Sequence, residues 1–353
     1  MNVPFLDLRR QTEELRRELG AAFDVVLDES RFVGGGAVAG FERAFAELCG
    51  ADETVGVGSG TDAIAIALRA AGVGPGDEVI TSANAPVPTV AGIALAGAAP
   101  VLADVDPATL TLAPASAAAA IGPRTRALVP VHLYGRCAAM APLLELARTH
   151  GLRVVEDAAQ AHGVELKGDA AAFSFYPTKN LGALGDAGAV VTSDPGLAER
   201  ARRLREYGSG EDRVSLERAG QSRLDTLQAA LLLAKLPLLE RWNERRRALA
   251  DRYTAAFADS TVEPPAQGEH VYHLYVVRSA ERDVLRRRLR ARGVETLVHY
   301  PRPVHEHPAW TALARPGALA ESERACREVL SLPLYPQLTD AEADAVVEAV
   351  LDA

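Results

Sequence analysis

Seven short, valine-rich apolar runs recur through the first two thirds of the chain: TVGVGS, EVITSA, APVLADVD, ALVPVHLYG, LRVVEDA, AAFSFY and GAVVTS. No other feature narrows the fold as much. A strand that is apolar at successive positions has both faces covered, as in a parallel sheet lying between layers of helices. Helical patterns fall between several of the runs: TDAIAIALRAAG, the segment after Asn84 through ALAGA, and MAPLLELARTHG. Alternating βα units of this kind predict a doubly wound, three-layer α/β domain around a mostly parallel sheet. From about Arg200 the pattern changes to long amphipathic helices that end near Tyr253. A strand, VYHLYVV, follows, and then helices with proline-rich joins: ERDVLRRRLRARG, ESERACREVLS and DAEADAVVEAVLDA. The 353 residues therefore divide into a large domain at 1–240, with the N-terminal segment, and a smaller α+β domain at 241–353. The alanine-rich PASAAAAIGP reads as a short helix.

Some function classes fall away at once. The net charge is −9, and no basic stripe is interleaved with aromatics, which argues against a nucleic-acid partner. No apolar run reaches the roughly 18 residues needed to cross a bilayer. The first residues, MNVPFLDLRRQTEELRREL, lack the apolar core of a signal peptide, so a cytoplasmic protein is expected. Cys49, Cys137 and Cys326 are scattered and read as reduced, packed thiols. The histidines contain no HExxH. His305 and His307 form an isolated pair in a proline-rich loop, and no metal is expected.

The basic residues carry a further clue. Of 38 Lys and Arg, only three are lysines: Lys167, Lys179 and Lys235. Where cations are almost always Arg, a surviving Lys marks a position whose work arginine cannot do. An amine can lose its proton and act as a nucleophile, whereas a guanidinium effectively cannot. Lys167 lies in a polar turn, GVELKGDA, and Lys235 in the amphipathic LQAALLLAKLPLLE, where it is expected to snorkel. Lys179, in FSFYPTKNLGALGD, has no such bland setting.

A buried lysine becomes nucleophilic when desolvation lowers its pKa, and its main catalytic use is Schiff-base formation with a carbonyl. Pyridoxal phosphate is the commonest carbonyl cofactor, and it makes two further demands. Its ring nitrogen wants a carboxylate. Its phosphate wants backbone N–H groups at a helix start. Both should lie at the C-terminal edge of the sheet. Asp157 lies just past the strand LRVV, Leu152 to Val155, and 22 residues before Lys179, and Gln160 can reach the same ring's hydroxyl. Gly60 and Thr61 open a helix after VGVGS, with Asp62 as cap or first-turn acid. Ser174 can add a hydroxyl. Singly, each has an ordinary explanation: a strand-end cap, a common turn, a core serine. Their order and joint presence carry the signal.

With these residues in place, the chain resembles the DegT/DnrJ/EryC1/StrS family of PLP-dependent sugar aminotransferases. The resemblance runs from FLDLRRQ through VGVGSGTDAIAIAL, VLADVDPATL, VPVHLYG, VVEDAAQAHG, FSFYPTKNLGALGDAGAVVT, LREYG, QSRLDTLQAALLLAKL and HYPRPVHEHPAW. It implies the type I aminotransferase fold and a homodimer with active sites shared between subunits. It also implies that Lys179 forms the Schiff base, that Asp157 pairs with the pyridine nitrogen and that Gln160 bonds the ring oxygen. Gly60, Thr61 and Ser174 would hold the phosphate. Two departures stand out. Where the family has an aromatic residue over the ring, in a stretch like NTFVAT, this chain has NAPVPT with Pro86 in the aromatic place. Where the family has Asn reaching the partner's phosphate, this chain has Gln221, followed by Ser222 and Arg223.

The implied activity is transfer of an amino group from an amino acid, L-glutamate or glutamine, to a nucleotide-linked keto-sugar. A cyclitol ketone is an alternative acceptor. A PLP-dependent sugar dehydratase would have histidine in place of Lys179. A nicotinamide dehydrogenase fails on the fingerprint, because Thr61 stands where the third glycine should be. A PLP-binding regulator without catalysis would want a DNA-binding extension. Tyr300 and His305 are the candidate substrate contacts, from the family's corresponding loop. His132 and Tyr134 either line the site or belong to the core. Arg31 and Arg136 are candidate anion contacts, or solvated surface.

Overall fold

The computed structural model describes residues 1–210 and 212–353. Three helices, α1 (Leu8–Glu14), α2 (Arg16–Glu29) and α3 (Gly36–Leu48), precede the first strand, β1 (Glu53–Val57). Helix α4 (Gly60–Ala70), β2 (Glu78–Ser82), α5 (Val87–Leu95), β3 (Ala99–Ala103), α6 (Pro114–Ala119), β4 (Thr125–Val129), α7 (Met140–His150) and β5 (Arg153–Asp157) then alternate. Strands β6 (Ala170–Ser174) and β7 (Gly188–Thr192) complete the sheet. All seven runs predicted as strands are strands. They form one sheet in the order β1-β7-β6-β5-β4-β2-β3. Strands β2 to β6 run parallel, while β7 runs antiparallel to both of its neighbours, β1 and β6.

Successive side chains on a strand point to opposite faces, and β6 shows what that does here. Ala170 and Ala172 face the core beneath α4, with Val55, Ile64, Leu68 and Val190. Ala171 and Phe173 face the opposite core, with Phe41, Phe45, Phe175 and Val191. Small residues on one face let α4 approach closely. Aromatic residues on the other face fill the wider gap, and Phe45 meets Phe173 and Phe175 edge-on with ring centroids 4.9 and 5.0 Å apart.

After β7 come α8 (Pro195–Leu204), α9 (Thr226–Lys235) and α10 (Leu239–Phe257). The long helices expected from Arg200 are interrupted. Helix α8 stops at Leu204, and the chain turns through Tyr207 and Gly208, both at positive φ, before α9 begins. A two-stranded antiparallel sheet pairs β8 (Tyr275–Arg278) with β9 (Val329–Leu332), and α11 (Arg282–Ala291), α12 (Ala320–Glu328) and α13 (Asp340–Leu351) surround it. Helix α13 opens with a capping box between Thr339 and Glu342. Tyr253, Phe257, Tyr275, Leu289, Leu330 and Val346 form this second core.

Two details differ from the sequence pattern. The predicted strand VYHLYVV is ordered only from Tyr275, because Tyr272 takes a positive φ and its ring stacks on His270 at 3.9 Å. The final VLS of ESERACREVLS belongs to strand β9 and is not the end of a helix. The pattern also groups the first residues with the large unit. Val3 instead bridges to Val294 and packs in the second core.

Candidate active site

Strands β5 and β6 end at Asp157 and Ser174, and β1, parallel to β6 through their shared neighbour β7, leads into the start of α4. These three ends share the edge of the sheet where open α/β folds bind ligands. A cavity of about 360 Å³ opens there. Gly60, Thr61, Pro86, Asp157, Gln160, Ser174, Lys179 and Tyr300 all line it, as do Thr89, Tyr176 and Thr178. Eight residues picked from the sequence thus meet in one space.

Lys179 sits in a tight turn after β6, its backbone N–H donating to the Tyr176 carbonyl at 2.8 Å. Gly182 closes the turn so near to Pro177 that a Cβ there would lie 2.3 Å from the Pro177 carbonyl oxygen. The Lys179 side chain is half-buried, its free surface facing the cavity and protein packed around the rest. Burial lowers its pKa from the ordinary 10.5 to about 8, and the charge of Asp157 acts the other way. An amine with this pKa keeps a useful neutral fraction near pH 7. Burial, and then the same positive centre, push the imidazoles of His162 and His299 down to about 3 and 4.

Asp157 is 4% exposed. Its Oδ2 accepts from the Thr89 hydroxyl at 2.6 Å, and its Oδ1 from the Ala159 N–H at 3.1 Å. Gln160 is held equally firmly. Its Oε1 accepts from the Tyr134 N–H at 2.6 Å, and its Nε2 donates to the Tyr300 hydroxyl at 3.2 Å. Burial raises the Tyr300 pKa to about 12, so the phenol stays neutral. Thr89 was not among the residues picked from the sequence, and Tyr134, named there as lining the site or the core, reaches Gln160 through its backbone N–H. Each lies far from its partner along the chain, and a lone Thr in NAPVPT carries no signal of its own.

At the other end of the cavity Ser59 caps α4, its hydroxyl accepting from the Asp62 N–H at 3.1 Å, and the first intrahelical bond runs from Ala63 to Ser59. The N–H groups of Gly60 and Thr61 precede that bond and lack intrahelical acceptors. A Cβ on Gly60 would lie 2.6 Å from the Ser174 Cβ. Only glycine lets the helix start come this near to the end of β6. A desolvated amine, a fixed carboxylate and a bare helix start around one cavity fit the Schiff-base carbon, ring nitrogen and phosphate of pyridoxal phosphate.

Gln221 and His305 lie outside this cavity. Gln221 is exposed, and Arg223 pairs with Glu206 at 2.6 Å. Between them Ser222 accepts from the Gly58 N–H at 2.9 Å and donates to Asp62 at 2.8 Å, tying the segment to the start of α4 in its own chain. His305 is buried with its Nε2 3.2 Å from Glu323. His132 belongs to the core, paired with Glu156 at 2.6 Å with neither side chain exposed. Arg136 is buried against the Ala266 and Gln267 carbonyls, while Arg31 is exposed. Lys167 does sit in a polar turn beside Glu165. Lys235 does not snorkel. It is 2% exposed, and its amine donates to the Gly182 carbonyl at 2.7 Å, bracing the loop that carries Lys179. A second acceptor, the Gln11 Oε1, lies 3.4 Å from the same amine.

Fold and site together define a pyridoxal phosphate-dependent aminotransferase. The DegT/DnrJ/EryC1/StrS aminotransferase family matches residues 13–351, and the chain belongs to it. It is 48% identical to a dTDP-3-amino-3,4,6-trideoxy-alpha-D-glucose transaminase of Streptomyces venezuelae, over 99% of this chain and 95% of that protein. The crystal structure of S. venezuelae DesV, in complex with a ketimine intermediate, superposes with a TM-score of 0.97 at 48% identity and covers 99% of this chain and 98% of that one. Bacillus subtilis NtdA, solved with bound PMP, gives 0.94 at 32% identity, over 99% of this chain and 85% of that one.

Proposed function

We propose that the protein moves an amino group from an amino acid, L-glutamate or glutamine, to a nucleotide-linked keto-sugar in amino-sugar biosynthesis. The observation that carries the reading is the single cavity holding Lys179, Asp157 and the start of α4. The similarity to a dTDP-amino-sugar transaminase supports the acceptor class.

Lys179 would carry the cofactor, Asp157 would face its ring nitrogen and Gln160 its ring oxygen. Gly60, Thr61 and Ser174 would take the phosphate, and Pro86 would cover the ring. Bound there, pyridoxal phosphate supplies an electron sink that eases loss of a proton from the carbon beside the transferred nitrogen. Asp157, fixed by Thr89 and the Ala159 N–H, holds its carboxyl group where the ring nitrogen would lie. Lys179 Nζ moves the proton, and its pKa of about 8 suits it to both taking and giving one near neutrality. Tyr300, neutral and tied to Gln160, closes one wall and fixes the orientation of the amide. Tyr300 and His305 remain the proposed substrate side, with His305 acting from beneath the surface through its loop.

A homodimer belongs to the same proposal. Phe23, Leu27, Phe32 and Val33 stand 43–56% exposed on α2 and the segment after it, and Tyr176, 52% exposed, lies at the cavity itself. A second copy would cover such a surface. Gln221 and Arg223 would then serve the partner's cofactor phosphate. The division into units at 1–240 and 241–353 is proposed with it.

Amination of a panel of keto-sugar nucleotides, each offered with glutamate and with glutamine, tests the reading. Amination of free cyclitol ketones alone would move the enzyme to that acceptor class.

A further inference from the structure

A second cavity, of about 370 Å³, meets the first at Thr178, which lines both. Arg246, on α10, lines this second space and is only 3% exposed. Its Nη1 donates to the Tyr272 and Leu334 carbonyls at 3.3 and 3.1 Å, and its Nε has no hydrogen-bond partner. No carboxylate among the described residues pairs with it. A buried guanidinium without a counter-charge is costly, and structures keep one where an anion completes it.

The other two largely buried arginines sharpen the contrast. Arg278 has its carboxylate, Glu328, at 2.6 Å. Arg136 has none, but the space beside it is about 20 Å³, too small for anything larger than water. Among the buried arginines of the described residues, Arg246 alone combines an unmet charge with room for a ligand.

The rest of the lining agrees. His299 and His273 stand on the polar side of the cavity. The His299 Nδ1 lies 2.8 Å from the Ser331 hydroxyl, and when that hydroxyl donates, Nε2–H is left to donate in turn. Burial, and then the charge of Lys179, hold both imidazoles below their ordinary pKa. With the imidazoles neutral near pH 7, Arg246 supplies the positive charge in the interior of this cavity. Its one acid, Glu295, is exposed at the rim, where its Oε2 takes the Phe5 N–H at 3.4 Å. Phe5 and Leu334 supply apolar wall.

We propose that this cavity seats a carboxylate of the amino donor on Arg246 and the His299 N–H, with the donor's amine reaching past Thr178 toward Lys179. The proposal rests on the reading that an amino acid is the donor. The sugar nucleotide would then approach from elsewhere, and the two substrates would depend on different side chains.

Glutarate is the probe, because it has two carboxylates and no amine and so cannot react with the cofactor. Calorimetric titration of the holoenzyme should show glutarate binding, weakened about tenfold or more in Arg246→Met, as loss of a charged hydrogen-bonding partner requires. Arg246→Lys should recover part of it. Arg246 also ties two carbonyls together, so a second variant guards against misfolding. Leu297 lines the cavity and is 42% exposed, and Leu297→Glu adds a like charge at the mouth without disturbing a buried contact. It should weaken glutarate binding and raise KM for the donor while leaving KM for the keto-sugar unchanged. No glutarate binding to the parent, or equal binding in Leu297→Glu, overturns the proposal. Binding of inorganic phosphate in preference to glutarate overturns the carboxylate assignment. Glutarate binding that follows Arg246, in a protein that aminates no keto-sugar nucleotide, would leave the site standing and remove only the proposed acceptor.

Discussion

Lys179 should destabilise the cofactor-free protein, and the cost should depend on pH in a specific way. Its pKa falls from 10.5 in an unstructured chain to about 8 in the fold. At about 1.4 kcal/mol for each tenfold change in proton affinity, that fall is worth about 3 kcal/mol. The folded pKa lies below the unfolded one, so folding expels a proton. The full cost is therefore present below about pH 8, shrinks between pH 8 and 10.5, and is gone above that. Lys179→Met keeps the length of the side chain and removes the charge. Its gain in unfolding free energy over the parent should be about 3 kcal/mol at pH 7, about 1.5 kcal/mol at pH 9.5 and near zero at pH 11. Working at pH 7 and above keeps the imidazoles of His162 and His299, pushed to about 3 and 4, out of the comparison. Urea unfolding of the two apoproteins across this range measures the difference. A gain that stays constant with pH would mean that the cost of Lys179 is not its charge, and a loss at pH 7 would mean that the amine is not desolvated at all. The predicted sign is that of a functional group held against the preference of the fold.

Lys179→Ala should abolish transamination, and borohydride reduction of the parent should fix the cofactor on Lys179; label on Lys167 or Lys235 would refute the assignment. Thr89→Val removes a 2.6 Å bond to Asp157, and at about 1.5–3 kcal/mol for a hydrogen bond to a charge turnover should drop about ten- to a hundredfold while absorbance near 400 nm persists. Unchanged turnover there would show that Asp157 is held by other means. Pro86→Tyr should tighten pyridoxal phosphate by about 0.5–1.5 kcal/mol through stacking, read from cofactor release on dilution; expulsion of the cofactor would show that Pro86 does not cover the ring. A mixture of Lys179→Ala chains with Gln221→Ala, Arg223→Ala chains, unfolded and refolded together, should regain roughly a quarter of parent activity, since half the dimers are mixed and each has one intact site. No recovery despite subunit exchange would return Gln221 and Arg223 to their own chain's chemistry.

The seven strands of the large sheet were legible because their burial is written residue by residue as unbroken apolar runs. Direction was not. GAVVTS has the composition of its neighbours, and only the pairing with β1 and β6 reveals that β7 is reversed. Strand β9 was hidden because VLSL continues the amphipathic pattern of the helix before it, and four residues are too few to separate a period of 2 from one of 3.6. In the site, charged and small residues with unusual chemistry were readable: the rare lysine, the acid at a strand end, the glycine at a helix start. Their supports were not. Thr89 is one threonine among many until the fold sets its hydroxyl against Asp157, and Tyr134 contributes a backbone N–H, which no side-chain pattern encodes. Lys235 was misread because its helix is amphipathic, while the acceptor that makes burial tolerable, the Gly182 carbonyl, lies 53 residues away.

The three lysines occupy three different settings: Lys167 open in a turn, Lys235 sealed in the core, and Lys179 at the cavity. Among these lysines, a succinimidyl ester should decorate the loaded enzyme at Lys167 alone, which narrows immobilisation or fluorophore attachment through lysine to one side chain without engineering a cysteine. Lys179, once relieved of its cofactor, becomes the most reactive amine of the set at pH 8, because its pKa there leaves about half of it unprotonated. Mass spectrometry of the labelled peptides would then give the fraction of empty sites in a sample directly, including in crude extracts where absorbance cannot be read.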